Sequence, residues 1–398
     1  MSYATVLRTP HARRTFVAAL VGRLSYGMVS LSLVLSVKDA TGSYAVAGTV
    51  MALFGATSVL LSPARAALVD RFGPRRALAP MAGVYAVLLV LLAYAARQPG
   101  ASGLLLGVLA SVAGVCTPPL GPTMRALWTQ LLDDRRLLQR AYSLDGVCEE
   151  LLFVTGPLLV GVVVKFASPA LGVAVSAALV LAGTLAMVSS PAARTYPVRE
   201  KTAGPAVRAA VPWPPVLVVG GLGLGLGALD LLVVAFAADQ GRPEAVAWVL
   251  AALSVGSAVG GLVSGGVEWR IPARSRLSLF ALGLGLALGA AGLAPNLWVL
   301  GAAAVVAGAF VAPALTTGYL LADETAAPGT RTQAGAWVNT AVNAGSSGGA
   351  AAVGLLIGRL PLTLCFALAA APVLLSAGQW ISRRRLPAPA PADAGAGA

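Results

Sequence analysis

Ala67-Leu68-Val69-Asp70-Arg71-Phe72-Gly73-Pro74-Arg75-Arg76 is a short charged segment with a long apolar run on each side, 44–62 before it and 77–97 after it. A helix needs about 20 apolar residues to cross the hydrocarbon core of a bilayer, and both runs meet that length. Windows of the same kind recur along the chain. They predict twelve spans: 15–37, 44–62, 77–97, 102–124, 141–164, 168–190, 213–236, 244–267, 277–294, 297–320, 333–357 and 362–381. The expected fold is an all-α integral membrane protein, with the quoted segment as the loop between the second and third spans.

Composition agrees. The chain has 398 residues, 58% of them hydrophobic and 11% charged, with a mean hydropathy of +0.83. A water-facing fold of this length is about a quarter charged, so the bilayer is the natural solvent. Forty-six glycines and 26 prolines lie inside apolar runs, which excludes disordered low complexity and collagen. Cys116, Cys148 and Cys365 are far apart, so they build neither a disulfide framework nor a Cys-x-x-Cys site. With His11 the single histidine, a zinc site or a Ser-His-Asp triad has no material, and no metal or other cofactor is expected. The net charge of +13 does not point to nucleic acid, because the basic residues lie between apolar spans and aromatics make up only 6%.

The arginines and lysines instead orient the chain. With the N-terminus in the cytoplasm, 22 of the 28 fall on cytoplasmic segments and five outside: Lys38, Arg97, Lys165, Arg242 and Arg359. Among the 22 are Arg65, Arg125, Arg140, Arg199, Lys201, Arg208 and the run Arg383, Arg384, Arg385. Arg23 alone falls within a span. The longest polar stretch is near the middle, so the expected division is a six-helix bundle at 1–190, a cytoplasmic linker at 191–212, a second bundle at 213–385 and a disordered tail at 386–398. A shift of 194 lays Pro119 on Pro313, Asp145 on Asn339 and Glu149 on Asn343; a shift of 198 lays Asp70 on Glu268 and Arg76 on Arg274. Two diverged, pseudo-symmetric six-helix repeats fit this pattern.

The loop at 67–76 resembles the signature loop of the major facilitator superfamily (MFS), Gly-x-Leu-Ala-Asp-Arg-x-Gly-Arg-Lys, and twelve spans in two halves agree with it. Two departures are visible. Ala66 stands where the pattern has its first Gly, and Pro74 moves the basic pair one place along. The resemblance implies that Asp70 caps and pairs at a helix end between the halves, holding the outward-open state closed on the cytoplasmic side. It makes Arg71, Arg75 and Arg76 the surrounding charge network, with Gly73 part of the same gating loop. The plainer alternative is a loop whose arginines only set topology. The second copy, Gly265-Gly266-Val267-Glu268-Trp269-Arg270, is degenerate.

The fifth span carries Asp145, Glu149 and Glu150. Asp145 and Glu149 are four residues apart and share a helix face, whereas Glu150 points about 100° away, toward a neighbouring helix. Glu149 is roughly 13 Å along the helix from Arg140, near mid-membrane. A carboxylate there needs a partner or a cavity, and burial favours the protonated form that proton coupling requires. The competing reading is a structural ion pair. Arg23 is about 12 Å into the first span, too deep to snorkel easily, and has these three acids as candidate partners. Gly156-Pro157, flanked by Gly146 and Gly161, resembles part of the helix-5 motif of antiporters in this superfamily, which points toward export.

In the seventh span, Gly223, Gly225 and Ala228 match a dinucleotide fingerprint in name only, since no strand precedes them; the glycines read as a close helix-packing face. Asp230 follows, either lining the cavity or making polar contacts near the outside. The eleventh span carries Trp337, Asn339 and Asn343. The two amides share a face, and the repeat places them opposite Asp145 and Glu149. Trp337 is a candidate aromatic contact. Proton-coupled export of a small organic molecule is the leading reading, with uptake by symport or facilitated diffusion as the alternative. No nucleophile with a base and no phosphate-binding loop is present, so neither an enzyme nor direct ATP drive is expected. The expected partners are the substrate, the proton and the lipid bilayer, with a monomer in the plasma membrane of a bacterium of GC-rich genome and both termini cytoplasmic.

Overall fold

A computed structural model of the chain describes residues 3–98, 100–196, 211–327 and 329–382. Much of the expected linker, with Arg199, Lys201 and Arg208, lies outside the described residues, as do Arg383, Arg384, Arg385 and the tail at 386–398. After a short α1 (Tyr3–Arg8), the first half runs through α2 (Ala12–Thr41), α3 (Tyr44–Leu60), α4 (Ser62–Phe72), α5 (Pro74–Ala95), α6 (Gly103–Cys116), α7 (Leu120–Leu131), α8 (Arg135–Phe166) and α9 (Pro169–Val188). The short α10 (Pro191–Arg194) leads to the second half: α11 (Trp213–Asp239), α12 (Ala245–Gly266), α13 (Ala273–Ala291), α14 (Leu297–Thr325), α15 (Arg331–Leu356) and α16 (Leu362–Ser382).

These helices follow the expected order, with α3 and α4 forming one bent passage and α6 and α7 another. By length and hydropathy, eight helices qualify as spans among the described residues, and the pair α3 and α4, bent by 42°, makes nine. The others fall short for visible reasons. Arg274 and Arg276 occupy the first turn of α13, α15 carries Gln333, Asn339 and Asn343, and the apolar part of α16 is Leu362–Gly378.

The halves repeat one packing scheme. In the first, α2 packs on α8 and α9, α3 on α6, and α5 on α6 and α9; in the second, α11 packs on α15 and α16, α12 on α14, and α13 on α14 and α16. Contacts between halves follow the same symmetry, with α8 against α12 and α14, and α15 against α3, α4 and α7. Val87, Leu104, Leu158, Leu286 and Leu355 are among the many large apolar side chains left exposed, as lipid contact requires.

Lipid tails are as apolar as leucine, so helices associate through close backbone approach and internal polar bonds. Gly223 and Gly227 of α11 lie against the backbone of Val342 and Ser346 on α15, which makes the glycine run the expected packing face. Gly156 of α8 meets the backbone of Gly27 on α2, leaving no room for a side chain.

Two breaks interrupt the first half only. At 117–119, between α6 and α7, Pro118 and Pro119 withhold backbone donors. The counterpart Pro313 is inside a continuous α14. The second break is at Leu61, between α3 and α4. Arg65 serves both, donating to the carbonyls of Thr57 and Ser58 at one break and to Gly114 (2.9 Å) and Val115 (3.1 Å) at the other. This corrects the expectation that Arg23 is the one basic residue held inside the bundle, because Arg65, Arg125 and Arg140 are buried as well.

Candidate coupling site and gate

Asp145, on the inward face of α8, is fully buried between two arginines. Arg23 Nη2 of α2 donates to its Oδ1 at 2.5 Å, and Arg125 Nε of α7 is 3.1 Å from Oδ2, off the line of a hydrogen bond. One helical turn on, Glu149 accepts from Arg125 Nη2 and lies 3.9 Å from Arg23 Nη1. Two guanidinium groups thus face two carboxylates, and with all four ionised their charges cancel. Glu149 is the accessible member, its side chain 26% exposed where Asp145 has none. Gly121 lies beside them: a Cβ there would make ordinary contacts, 3.5 Å from Glu149 Oε1 and 3.7 Å from Arg125 Nη1.

Arg125 was expected on a cytoplasmic segment. The break at 117–119 lets the chain re-form as α7, and this second helix carries Arg125 into the interior. Its guanidinium lies 3.8 Å from the ring centroid of Tyr319 on α14, a cation–π contact that joins the cluster to the second half. The Tyr319 hydroxyl donates to Asn339 Oδ1 of α15 at 3.3 Å.

Other expected residues fall elsewhere. Glu150 points away from the cluster and accepts from Ser257 of α12. Asn343 is exposed and donates to the Asn339 backbone carbonyl at 2.7 Å. Trp337 is half-buried, with no partner for its indole N–H among the described residues. Asp230 is exposed on α11 and makes no ion pair among the described residues. Gly156 supplies the crossing with α2, and Pro157 sits within α8.

The second site is at the end of the bundle that carries the arginine-rich loops. Gly73 joins α4 to α5 at φ 82°, a region costly for a side chain, and Pro74 opens α5. Asp70, buried at the end of α4, crosses to the other half and accepts from the backbone N–H of Thr332 (3.2 Å) and Gln333 (2.8 Å) in the first turn of α15. Thr330, the N-cap of α15, makes no side-chain cap, so the first half supplies it. Tyr196 donates to Asp70 Oδ1 at 2.9 Å and meets the Thr332 hydroxyl at 2.9 Å. Burial, then the Asp70 charge, holds this phenol well above its ordinary pKa, so it stays a donor.

Among the described residues, no arginine of the expected charge network pairs with Asp70. Arg71, Arg75 and Arg76 are exposed and make no ion pair among the described residues; Arg71 lies over the ring of Phe72. Solvation is the cheaper outcome for side chains whose acid is already satisfied by backbone donors. In the degenerate copy, Glu268 pairs with Arg136, at the start of α8, at 2.8 Å. Each copy thus reaches the first turn of the equivalent helix in the other half, α15 or α8, and only the Asp70 copy is buried.

Fold and site together define a polytopic membrane protein of two like bundles around a charged centre. The chain belongs to the Major Facilitator Superfamily, whose family model matches residues 15–241. Comparison with curated proteins by sequence finds no match. Among solved structures, it is similar to a bacterial homologue of the iron transporter ferroportin in the outward-facing state, at 14% identity over 93% of this chain and 98% of that one, TM-score 0.75. It is also similar to the E. coli fucose:proton symporter FucP, at 16% identity over 94% and 99%, TM-score 0.70. The human organic anion transporter TETRAN aligns at 14% identity over 93% and 99%, TM-score 0.66.

Proposed function

We propose that the chain is a secondary active transporter that moves a small organic molecule across the plasma membrane by alternating access, exporting it in exchange for protons. The observation that carries this reading is the balanced cluster of Arg23, Arg125, Asp145 and Glu149, with Glu149 its accessible member. A proton taken up by Glu149 removes one negative charge and weakens its hold on Arg125, leaving the centre net positive. Arg125 is also the group in contact with Tyr319 of the second half, so the change in charge acts where the halves meet. Asp145, enclosed by the same two guanidinium groups, is the second acid of the cluster.

The rest of the cycle follows from the gate. Cross-half hydrogen bonds gather at the arginine-rich end, which the basic residues assign to the cytoplasm. The described arrangement is then closed to the cytoplasm, and opening it requires α15 to leave Asp70. Export is favoured by Gly156-Pro157. Proton symport inward is the competing direction, and the likeness to a fucose:proton symporter belongs to it. The sign of the proton movement decides: in liposomes of known orientation, substrate leaving the cytoplasmic side must acidify that side, and acidification of that side with substrate entry, the proton moving with the substrate, contradicts antiport.

A further inference from the structure

A cavity of about 990 Å³ opens at the arginine-rich end between the start of α8, the junction of α12 with α13, and the end of α14. Seven arginines and four carboxylates line it. Three of the acids are already used: Glu324 pairs with Arg135 at 3.3 Å, Glu268 with Arg136 at 2.8 Å and Asp323 with Arg331 at 3.6 Å. Arg140 and Arg276 form no ion pair among the described residues, Glu324 acting on Arg276 only at longer range, although they are the most buried of the seven, 5% and 8% exposed. Arg140 makes one long bond, to the Gly266 carbonyl at 3.5 Å, and its Nη1 has no partner. Arg276 donates to Gln139 Oε1 at 2.6 Å and lies over the Trp269 ring, and its Nε has no partner.

Burying a guanidinium without a directly paired counter-charge is unfavourable, and two such groups on one cavity wall are a stronger case than either alone. The positive excess calls for an anion. Two fork-shaped donors suit the several oxygens of a phosphate group. The volume is far larger than one phosphate ion needs and falls in the range of small-molecule sites. We propose that this cavity binds a phosphate-bearing anion through Arg140 and Arg276. Arg140 belongs to the first half and Arg276 to the second, so the bound group ties the halves together where they already touch and favours the arrangement closed at this end. An anionic lipid headgroup and a soluble phosphate compound present the same chemistry, and the cytoplasmic leaflet surface is rich in the former.

Full-length protein in nanodiscs tests this by binding, independently of transport. In the soluble arm, inorganic pyrophosphate is titrated onto protein in phosphatidylcholine nanodiscs. In the lipid arm, nanodiscs mix phosphatidylcholine equally with phosphatidylglycerol, and native mass spectrometry counts retained phosphatidylglycerol. Binding in one arm is expected, and that arm identifies the source. Arg140→Gln with Arg276→Gln must weaken it by about tenfold or more, the worth of one charge-assisted hydrogen bond, while Arg97→Gln, exposed at the opposite end, leaves it unchanged. No binding in either arm, or equal binding by the glutamine pair, overturns the proposal. If the glutamine pair does not fold, Arg140→Lys with Arg276→Lys decides: the charges remain but the forks are lost, so affinity falls by a similar factor, and unchanged affinity overturns the proposal.

Discussion

Replacing Asp70 with asparagine removes a charge from the first turn of α15 while keeping the shape of the side chain. Asp70 accepts three hydrogen bonds, from Gln333 N–H at 2.8 Å, Tyr196 Oη at 2.9 Å and Thr332 N–H at 3.2 Å. Asparagine retains a single acceptor oxygen, so at least one of the three is lost and the others become neutral. Each charge-assisted bond is worth about 1.5–3 kcal/mol net, against about 1 for a neutral one, and a carboxylate at a helix N-terminus adds about 0.3–1. The bonds form only while the halves meet at this end, so the loss falls on the closed state. About 3 kcal/mol shifts the ratio of closed to open by about 150-fold. A protein held closed at roughly 100:1 would then populate both states comparably. Spin labels at Arg75 and Ile271, both exposed at this end on opposite halves, read the change as a second, longer distance peak in Asp70→Asn. An unchanged distance distribution in the folded variant would refute the cap as a latch.

Three further substitutions bear on the interior. Asp145→Asn leaves Arg23 and Arg125 facing each other with only Glu149 between them and is expected to lower stability by about 3–5 kcal/mol, as breaking a buried pair does; Glu149→Gln, at a partly exposed position, should lower it by less than about 1, and chemical denaturation in detergent ranks the two. Arg65→Leu strips donors from carbonyls at both helix breaks, so thermal unfolding should occur at a lower midpoint than in Arg71→Leu, a change at the exposed neighbour. Gly156→Leu forces α8 off Gly27 of α2, an overpacking cost of about 1–3 kcal/mol or more, and an unaltered thermal midpoint would show that the crossing is not tight.

Much of this arrangement was legible in the residues. Apolar windows placed the helical passages because the bilayer fixes their length, and the spacing of four put Asp145 and Glu149 on one face with Glu150 off it. Asp70 stood out because a loop that only sets topology has no use for an acid and a glycine at those positions. Arg125 was missed for a physical reason. A hydropathy window ends a span at the first charge, whereas the break at 117–119 lets the helix restart and fold that charge inward, toward acids about 20 residues further on. Tyr196 was hidden likewise, in a polar stretch read as a linker, and Tyr319 in an apolar run gave no signal without knowledge of which helix faces α7. Arg75 and Arg76 show the reverse error: a charge beside an acid in sequence is no partner when that acid is already satisfied from across the interface.

The central claim is that Glu149 exchanges the coupling proton. The direct measurement is proton flux in liposomes of purified protein under an imposed pH gradient, with a panel of organic compounds, comparing the natural protein with Glu149→Gln and Glu150→Gln. The account predicts that particular compounds dissipate the gradient in the natural protein, that Glu149→Gln abolishes this, and that Glu150→Gln, whose acid faces Ser257 and not the arginines, preserves it. Undiminished compound-driven flux in a folded Glu149→Gln protein would contradict the account and leave the cluster a structural ion pair.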